Sequence, residues 1–450
     1  MRRSRRERRS ELRRDSSSAC NDASSRSAPQ PERVVSASPA RLASTVRGAK
    51  SGCWRQGFCA TILEPQMAAA GPKFYPTTSG VSLRDLGAAV VPLARNLASI
   101  QMPGLRAPSP VFASWTVTLA CNLGCAHCSF NRPLPDELPH AERLEVAHRL
   151  ARSTAWGVSL IGGEPLLVKE LFEYARILKQ GGKRVFLGTS GDRLGQFIDE
   201  ILAAVDVVTV SIEGSTADAH DAFRRRRGLF GRVLQALDEL AARRNADAPR
   251  LQVRCTLNRL NFRDFDVLMD FWQAHADNVL LQVVQDNCLH EVRDRSCLFQ
   301  PEDRPEFERL YAGIRARYPF LKGRYYDYLP RYIFEPDALH KDIGFRCLLV
   351  PATMVDVFPN GKVKLCGGRP DSEIGNLMDA PLDRLWLGDR ATQVRTTLQS
   401  KEYGCMCWES AYARNLDLIE MNRYYETVTE AVKSVFQRRH ASNESTNSDL

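Results

Sequence analysis

The chain has 450 residues, 44% of them apolar, which is enough for a sizeable core, and a formal net charge of +9. The basic excess is local: residues 1–66 carry 14 Lys+Arg against 6 Asp+Glu, leaving 48 against 47 over the remainder, so the folded part is almost neutral and its charge does not call for nucleic acid. No stretch reaches the roughly 18 apolar residues needed to cross a bilayer, and no secretory signal is visible, so a cytoplasmic protein is expected.

Residues 1–70 are rich in Arg and Ser and poor in apolar surface, and are expected to be a disordered basic tail. An over-long start, with Met67 as the first residue, is one reading of it; a transit peptide and a basic arm are the others. Residues 71–110 read as an N-terminal helical segment, amphipathic from Leu86 to Ile100 and interrupted by Pro92, Arg95 and Asn96. From 111 to 300 short apolar runs alternate with helical periodicity. Strands are expected at Phe112–Leu119, Gly157–Ile161, Arg184–Gly188, Val207–Ile212, Leu251–Leu257 and Val279–Val284. Helices are expected at Ala141–Thr154, Lys169–Gln180, Leu194–Val205, Phe230–Arg244 and Phe265–His275. Such alternation predicts parallel strands joined by right-handed crossovers.

Residues 301–410 break this rhythm. A helix at Pro301–Arg317 precedes an aromatic-rich connector, Tyr325 to Phe334. Then Met354–Phe358 and Lys362–Leu365 flank Pro359-Asn360-Gly361, the Asn-Gly signature of a hairpin. A helical stretch at Pro381–Leu398 follows, and 411–450 read as a C-terminal helix, Leu416–Gln437, and a polar tail. The fold class expected is α/β: a partial (β/α)6 TIM-like barrel followed by a small cysteine-containing β-hairpin/helix domain, with ligands where strands end and βα loops begin.

Thirteen cysteines with short spacings in a chain of this kind favour metal over disulfides. Cys121, Cys125 and Cys128 follow the first strand directly as C-x3-C-x2-C. Three thiolates on one loop can hold three irons of a [4Fe–4S] cluster and leave the fourth iron open. A structural zinc site wants four closed ligands, usually paired, and this spacing suits it poorly; His127, wedged between Ala126 and Cys128, is expected to point elsewhere. A second group is Cys347, Gly361, Cys366, Cys405 and Cys407, in which the hairpin brings two distant thiols together. Four thiols there suit one further [4Fe–4S] cluster, or zinc. Cys288 and Cys297 read as packing residues or additional ligands, and Cys255 as core.

The C-x3-C-x2-C run resembles the radical S-adenosylmethionine (SAM) superfamily. So do Gly162-Gly163-Glu164-Pro165 after the second strand, Thr189-Ser190-Gly191 after the third, and Ser211-Ile212-Glu213-Gly214 with His220-Asp221. The family more often has an aromatic residue at His127 and Asp at Glu213. The second cysteine group, with Ile374-Gly375-Asn376-Leu377 and Leu385-Trp386, resembles the SPASM/twitch extension, although Cys405-Met406-Cys407 stands where that extension has C-x2-C.

The resemblance implies an enzyme that reductively cleaves SAM to a 5′-deoxyadenosyl radical and abstracts hydrogen from its substrate. It implies Cys121, Cys125 and Cys128 as ligands of the SAM-binding [4Fe–4S] cluster, and Cys347, Cys366, Cys405 and Cys407 as ligands of an auxiliary [4Fe–4S] cluster. Gly162, Gly163, Glu164, Ser211, Glu213, Arg254 and Asn258 become candidate SAM contacts, with the Arg224–Arg227 run competing with Arg254 for the SAM carboxylate. It also implies an electron donor such as flavodoxin or ferredoxin. A small-molecule substrate is the expectation, because residues 70–110 are too short for a leader-binding winged domain. A ribosomal peptide substrate is the alternative, and a non-catalytic iron–sulfur or zinc protein the contrasting one.

Overall fold

A computed structural model of the chain describes residues 94–96, 98, 109–245, 249–286, 292–318, 321 and 323–400. The expectations for residues 1–70, for most of 71–110, and for the segment holding Cys405, Cys407 and the C-terminal helix lie outside the described residues, as does Cys288.

The barrel half follows the alternation closely. Its elements are β1 (Phe112–Thr118), α1 (His140–Arg152), β2 (Gly157–Gly162), α2 (Leu171–Gln180), β3 (Arg184–Thr189), α3 (Ile198–Ala204), β4 (Val207–Ser211), α4 (Ala217–Arg224), α5 (Leu229–Arg243), β5 (Arg250–Leu257), α6 (Phe265–His275) and β6 (Asn278–Val283). Strands β1 to β6 pair in sequence order, all parallel. This is the partial parallel barrel expected from the sequence.

Two details depart from the sequence reading. The helix expected from Leu194 begins as a 3-10 turn, Leu194–Gln196, and becomes α-helical only at Ile198. The short helix α4 was not anticipated; Thr216 starts it by accepting from the Ala219 N–H. It ends at Arg225, which takes φ 53°, the left-handed conformation more often given to glycine.

The second half contains α7 (Arg304–Arg317), α8 (Arg324–Asp327), α9 (Leu329–Phe334), α10 (Pro336–Ile343), α11 (Val350–Thr353), β7 (Met354–Val357), β8 (Lys362–Lys364), β9 (Glu373–Asn376), α12 (Leu382–Leu387) and α13 (Asp389–Leu398). The aromatic connector is therefore helical, and the stretch expected as one helix from Pro381 is two, parted at Gly388. The hairpin forms as expected, antiparallel, with Val357 opposite Val363. It does not stand apart from the barrel. Strand β7 runs parallel to β1, from Phe112 opposite Met354 to Trp115 opposite Val357. The described strands thus make one nine-stranded sheet in the order β6-β5-β4-β3-β2-β1-β7-β8-β9.

Alternation along the strands sorts the faces. Trp115 and Leu160 are register partners and fully buried, and Trp115 packs on Tyr174 of α2 at 5.4 Å, so this face meets the helices. The opposite, concave face carries Thr116, Ser159, Ser211, Gln252, Arg254 and Gln282, all half-buried. Ile161, Phe186 and Leu280 share this face and are half-buried too, so it is mixed in character and left partly open.

Candidate functional site: a cysteine loop at the mouth of the partial barrel

The loop after β1 carries Cys121, Cys125 and Cys128, with Cys125 buried and the others half-buried. Burial pushes the Cys121 thiol up to about 11; the Leu123 N–H opposes the shift, while Glu164 and the other two thiols add to it. Cys128 is raised by burial as well, with the Phe130 backbone opposing most, Cys125 adding, and Arg224 and Arg293 opposing in smaller measure. These mutual effects put the three thiols in one electrostatic neighbourhood. Among the described residues no three His, Cys, Asp or Glu side chains are gathered as ligands of a single metal ion. Three soft thiols spread along one loop suit the separate irons of a cube, so the donor set fits a [4Fe–4S] cluster.

Much of the surrounding structure holds this loop still. Gly163 and Glu164 donate their N–H groups to Thr118 and Ala120 carbonyls at 2.8 and 2.9 Å. A Cβ on Gly162 would sit 2.2 Å from the Thr118 oxygen, and one on Gly163 would sit 2.3 Å from the Ala120 oxygen. The two glycines are therefore required by the close passage of the β2 loop against the start of the cysteine loop. The Glu164 carboxylate is fully buried and accepts from Leu166 N, Thr189 Oγ1, Ser190 N and Ser190 Oγ. It knots the Gly-Gly-Glu segment to the Thr189-Ser190-Gly191 turn.

Glu137 is a residue that motif reading passed over. It lies in the loop before α1 and accepts from Thr118 Oγ1 and the Leu119 N–H, both at 2.8 Å, while pairing with Arg143 at 3.1 Å. It anchors the two residues from which the cysteine loop departs. Its neighbours bind the hairpin turn: the Leu138 N–H donates to Pro359 O and Asn360 Nδ2 to Asp136. On the other side Ala126 donates to Phe223 O and accepts from the Asp294 N–H, and His127 stacks on Phe223 with ring centroids 5.0 Å apart.

Ser211 and Arg254 are register partners on the concave face. Glu213 is not beside them in an open pocket. It is buried and grips Arg224 bidentately, Nε to Oε2 at 2.6 Å and Nη2 to Oε1 at 2.5 Å. Burial works against the Arg224 charge, but Glu213 and Cys125 outweigh it and hold its pKa above the ordinary value. The remaining Nη1 donates to Cys125 Sγ at 3.5 Å. Of the rest of the arginine run, Arg225 pairs with Asp294, Arg226 with Asp192, and Arg227 is exposed. Asn258 is fully buried and spends its amide on its own loop, donating to Thr256 O and accepting from the Leu260 N–H.

Cys347 and Cys366 are both buried. Cys347 packs with Val350 against Met354, the first residue of β7. Continuing the β7–β8 register, from Asp356 opposite Lys364, puts Cys366 opposite Met354. Cys366 thus follows β8 at the open end of the hairpin, while Cys347 stands ahead of the short helix α11 that leads into β7.

The radical SAM superfamily profile matches residues 115–271, the stretch that holds the cysteine loop and strands β2 to β5. The chain carries a radical SAM domain. A radical SAM domain takes a [4Fe–4S] cluster and SAM. Over 161 residues the chain is 35% identical to an AdoMet-dependent heme synthase of Methanosarcina barkeri, covering 35% of this chain and 45% of that protein. Over 170 residues it is 33% identical to the mycofactocin maturase MftC of Mycobacterium ulcerans, covering 37% and 46%. The chain spans less than half the length of these curated relatives. The crystal structure of Streptococcus suis SuiB bound to precursor peptide SuiA superposes with a TM-score of 0.50, covering 70% of this chain and 71% of that one at 12% identity, which is a likeness of fold. No helix among the described residues is long and apolar enough to cross a membrane.

Proposed function

We propose that the radical SAM domain of this chain acts on a small-molecule substrate held at the mouth of the partial barrel. Cys121, Cys125 and Cys128 would hold the SAM-binding [4Fe–4S] cluster. Ser211 and Arg254, neighbours on the concave face, would receive SAM, with the backbone of Gly162 and Gly163 on the adjacent loop. Cys347, Cys366, Cys405 and Cys407 would hold an auxiliary [4Fe–4S] cluster. When bound, the first cluster and SAM supply reductive cleavage of SAM to a 5′-deoxyadenosyl radical that takes hydrogen from the substrate. The protein's own residues position these groups: Glu164 and Glu137 fix the loops that carry the cysteines, and the concave face orients what binds against it. The electron would come from a flavodoxin or ferredoxin in the cytoplasm.

The observation that supports a small molecule is a cavity of about 230 Å³ just past the C-terminal end of β6. Val283, Phe299, Tyr332 and Ile333 line it with apolar surface, and Gln285 and Asp286 add polar groups. A half-open cavity lined by apolar and polar groups in nearly equal measure, beyond the carboxyl ends of parallel strands, suits a compact ligand with polar groups of its own. The likeness to MftC supports a second reading, maturation of a ribosomal peptide.

Hydrogen transfer separates the two. The reduced, iron-loaded protein is given SAM together with the small-molecule or the peptide fraction of a deuterated extract of its host, and 5′-deoxyadenosine is analysed for deuterium. Deuterium transferred from the small-molecule fraction is expected. Transfer from the peptide fraction alone would overturn the small-molecule reading.

A further inference from the structure

Arg224 ends helix α4 with all three of its nitrogens committed. Nε and Nη2 are taken by the Glu213 carboxylate, and Nη1 lies 3.5 Å from Cys125 Sγ. The side chains of this pair are 9% and 0% exposed. Glu213 is itself held from two directions. Its N–H donates to His220 Nδ1 at 3.2 Å, and its carbonyl accepts from Asn261 Nδ2 at 3.1 Å. Beyond Arg224 the left-handed Arg225 turns the chain away, and the Arg225–Asp294 ion pair ties that turn to the segment that also bonds Ala126. The guanidinium is therefore aimed at one sulfur by contacts from α4, the β4 loop and the β5 loop.

We propose that Arg224, clamped by Glu213, is a positioning residue that donates a charge-assisted hydrogen bond to the Cys125 thiolate and thereby eases reduction of the SAM-binding cluster. The proposal rests on the reading that Cys125 is a ligand of that cluster. Reduction adds negative charge to the cluster and its thiolates. A donor fixed on one sulfur stabilises the reduced form more than the oxidised one, and hydrogen bonds to the sulfurs are among the established determinants of cluster potential. A tenfold difference in electron affinity between the two states is about 59 mV for a one-electron couple.

The test is a redox titration of the full-length, iron-loaded protein followed by electron paramagnetic resonance. The signal that changes on adding SAM identifies the first cluster. Removing Arg224 alone would strand a buried carboxylate, so the informative variants are Glu213→Gln and the double variant Glu213→Gln/Arg224→Met, both checked for native secondary structure. The double variant should titrate at least tenfold, about 59 mV, lower than wild type, while Glu213→Gln, which keeps the donor, should not fall. An unchanged potential in the double variant overturns the proposal alone, as does an equal fall in Glu213→Gln. A wild-type protein with no SAM-responsive signal overturns the cluster reading and this proposal with it.

Discussion

Glu137, Glu164 and Glu213 are three buried or nearly buried carboxylates around one loop, and they differ in how visible they are in the sequence. Glu164 sits inside a Gly-Gly-Glu run and Glu213 inside Ser-Ile-Glu-Gly, so local pattern marks both. What pattern does not convey is that their carboxylates are spent within the protein, on the Thr189-Ser190 turn and on Arg224. Glu137 has no local signature, because its partners Thr118 and Leu119 lie at the end of β1 and just past it, and meet it only once the loop is folded. His220 shows how far such environments reach. It is fully buried and accepts from the Glu213 N–H through Nδ1, so it is neutral in the fold. Burial, with the Arg224 charge adding and Asp221 opposing, lowers its pKa from 6.5 to about 3. The unfolded chain binds a proton between these values that the folded chain refuses. Stability therefore rises with pH across that window and is flat above it, and this residue contributes a slope of at most about 1.4 kcal/mol per pH unit. His340, lowered by burial to about 4, adds a slope of the same sign. In thermal unfolding followed from pH 4.5 to 7.5, wild type should lose stability below about pH 6.5, and His220→Asn, which keeps an acceptor for the Glu213 N–H, should show a flatter profile. An equally steep profile in the variant would contradict this assignment.

At the scale of elements, the six strands of the barrel are legible to within a residue or two because each is a short β-branched run between helical periods. Phe265–His275 is recovered with the bounds read from the sequence. The misses have physical causes. Helix α4 has only eight residues, too few for a period to declare itself. Strand β9 has four, and it hides in a segment that reads as a motif. Gly388 parts α12 from α13, where apolar spacing alone continues across it. The sharpest departure is topological. The hairpin reads as part of a separate small domain, yet β7 is the neighbour of β1 on the side away from β2. No local pattern could reveal this, since a parallel pair joins residues some 240 positions apart (Phe112 with Met354). The pairing gives the hairpin a structural duty beyond its cysteines. A chain cut after residue 300 would expose the backbone of β1 as a free edge next to the cysteine loop, a template for aggregation. Such a truncation should recover far less soluble monomer than the full chain by size-exclusion chromatography. A stable monomer with unchanged secondary structure would contradict the one-sheet description.

For the whole molecule, the single sheet couples the two cysteine groups. The loop that precedes α1 touches the hairpin turn through Leu138–Pro359 and Asp136–Asn360, while its Glu137 pins the root of the cysteine loop. Cys121, Cys125 and Cys128 stand on the loop that follows β1, and Cys366 follows the hairpin strand β8 that extends the same sheet, with Cys347 ahead of α11. The radical SAM domain was legible in the sequence because its chemistry depends on short, contiguous runs. The cavity beyond β6 was not, because it is assembled from segments more than 40 residues apart, Val283 with Tyr332 among them. The central claim is that the three loop cysteines hold the cluster at which SAM is cleaved. Its most direct test is formation of 5′-deoxyadenosine from SAM by the reduced, anaerobically reconstituted chain, measured beside iron content. Wild type should cleave SAM with about eight irons bound, and the Cys121→Ala/Cys125→Ala/Cys128→Ala variant should retain about four and cleave none, as two four-iron clusters require. Cleavage undiminished in the triple variant, or none in wild type with its first cluster loaded, would contradict it.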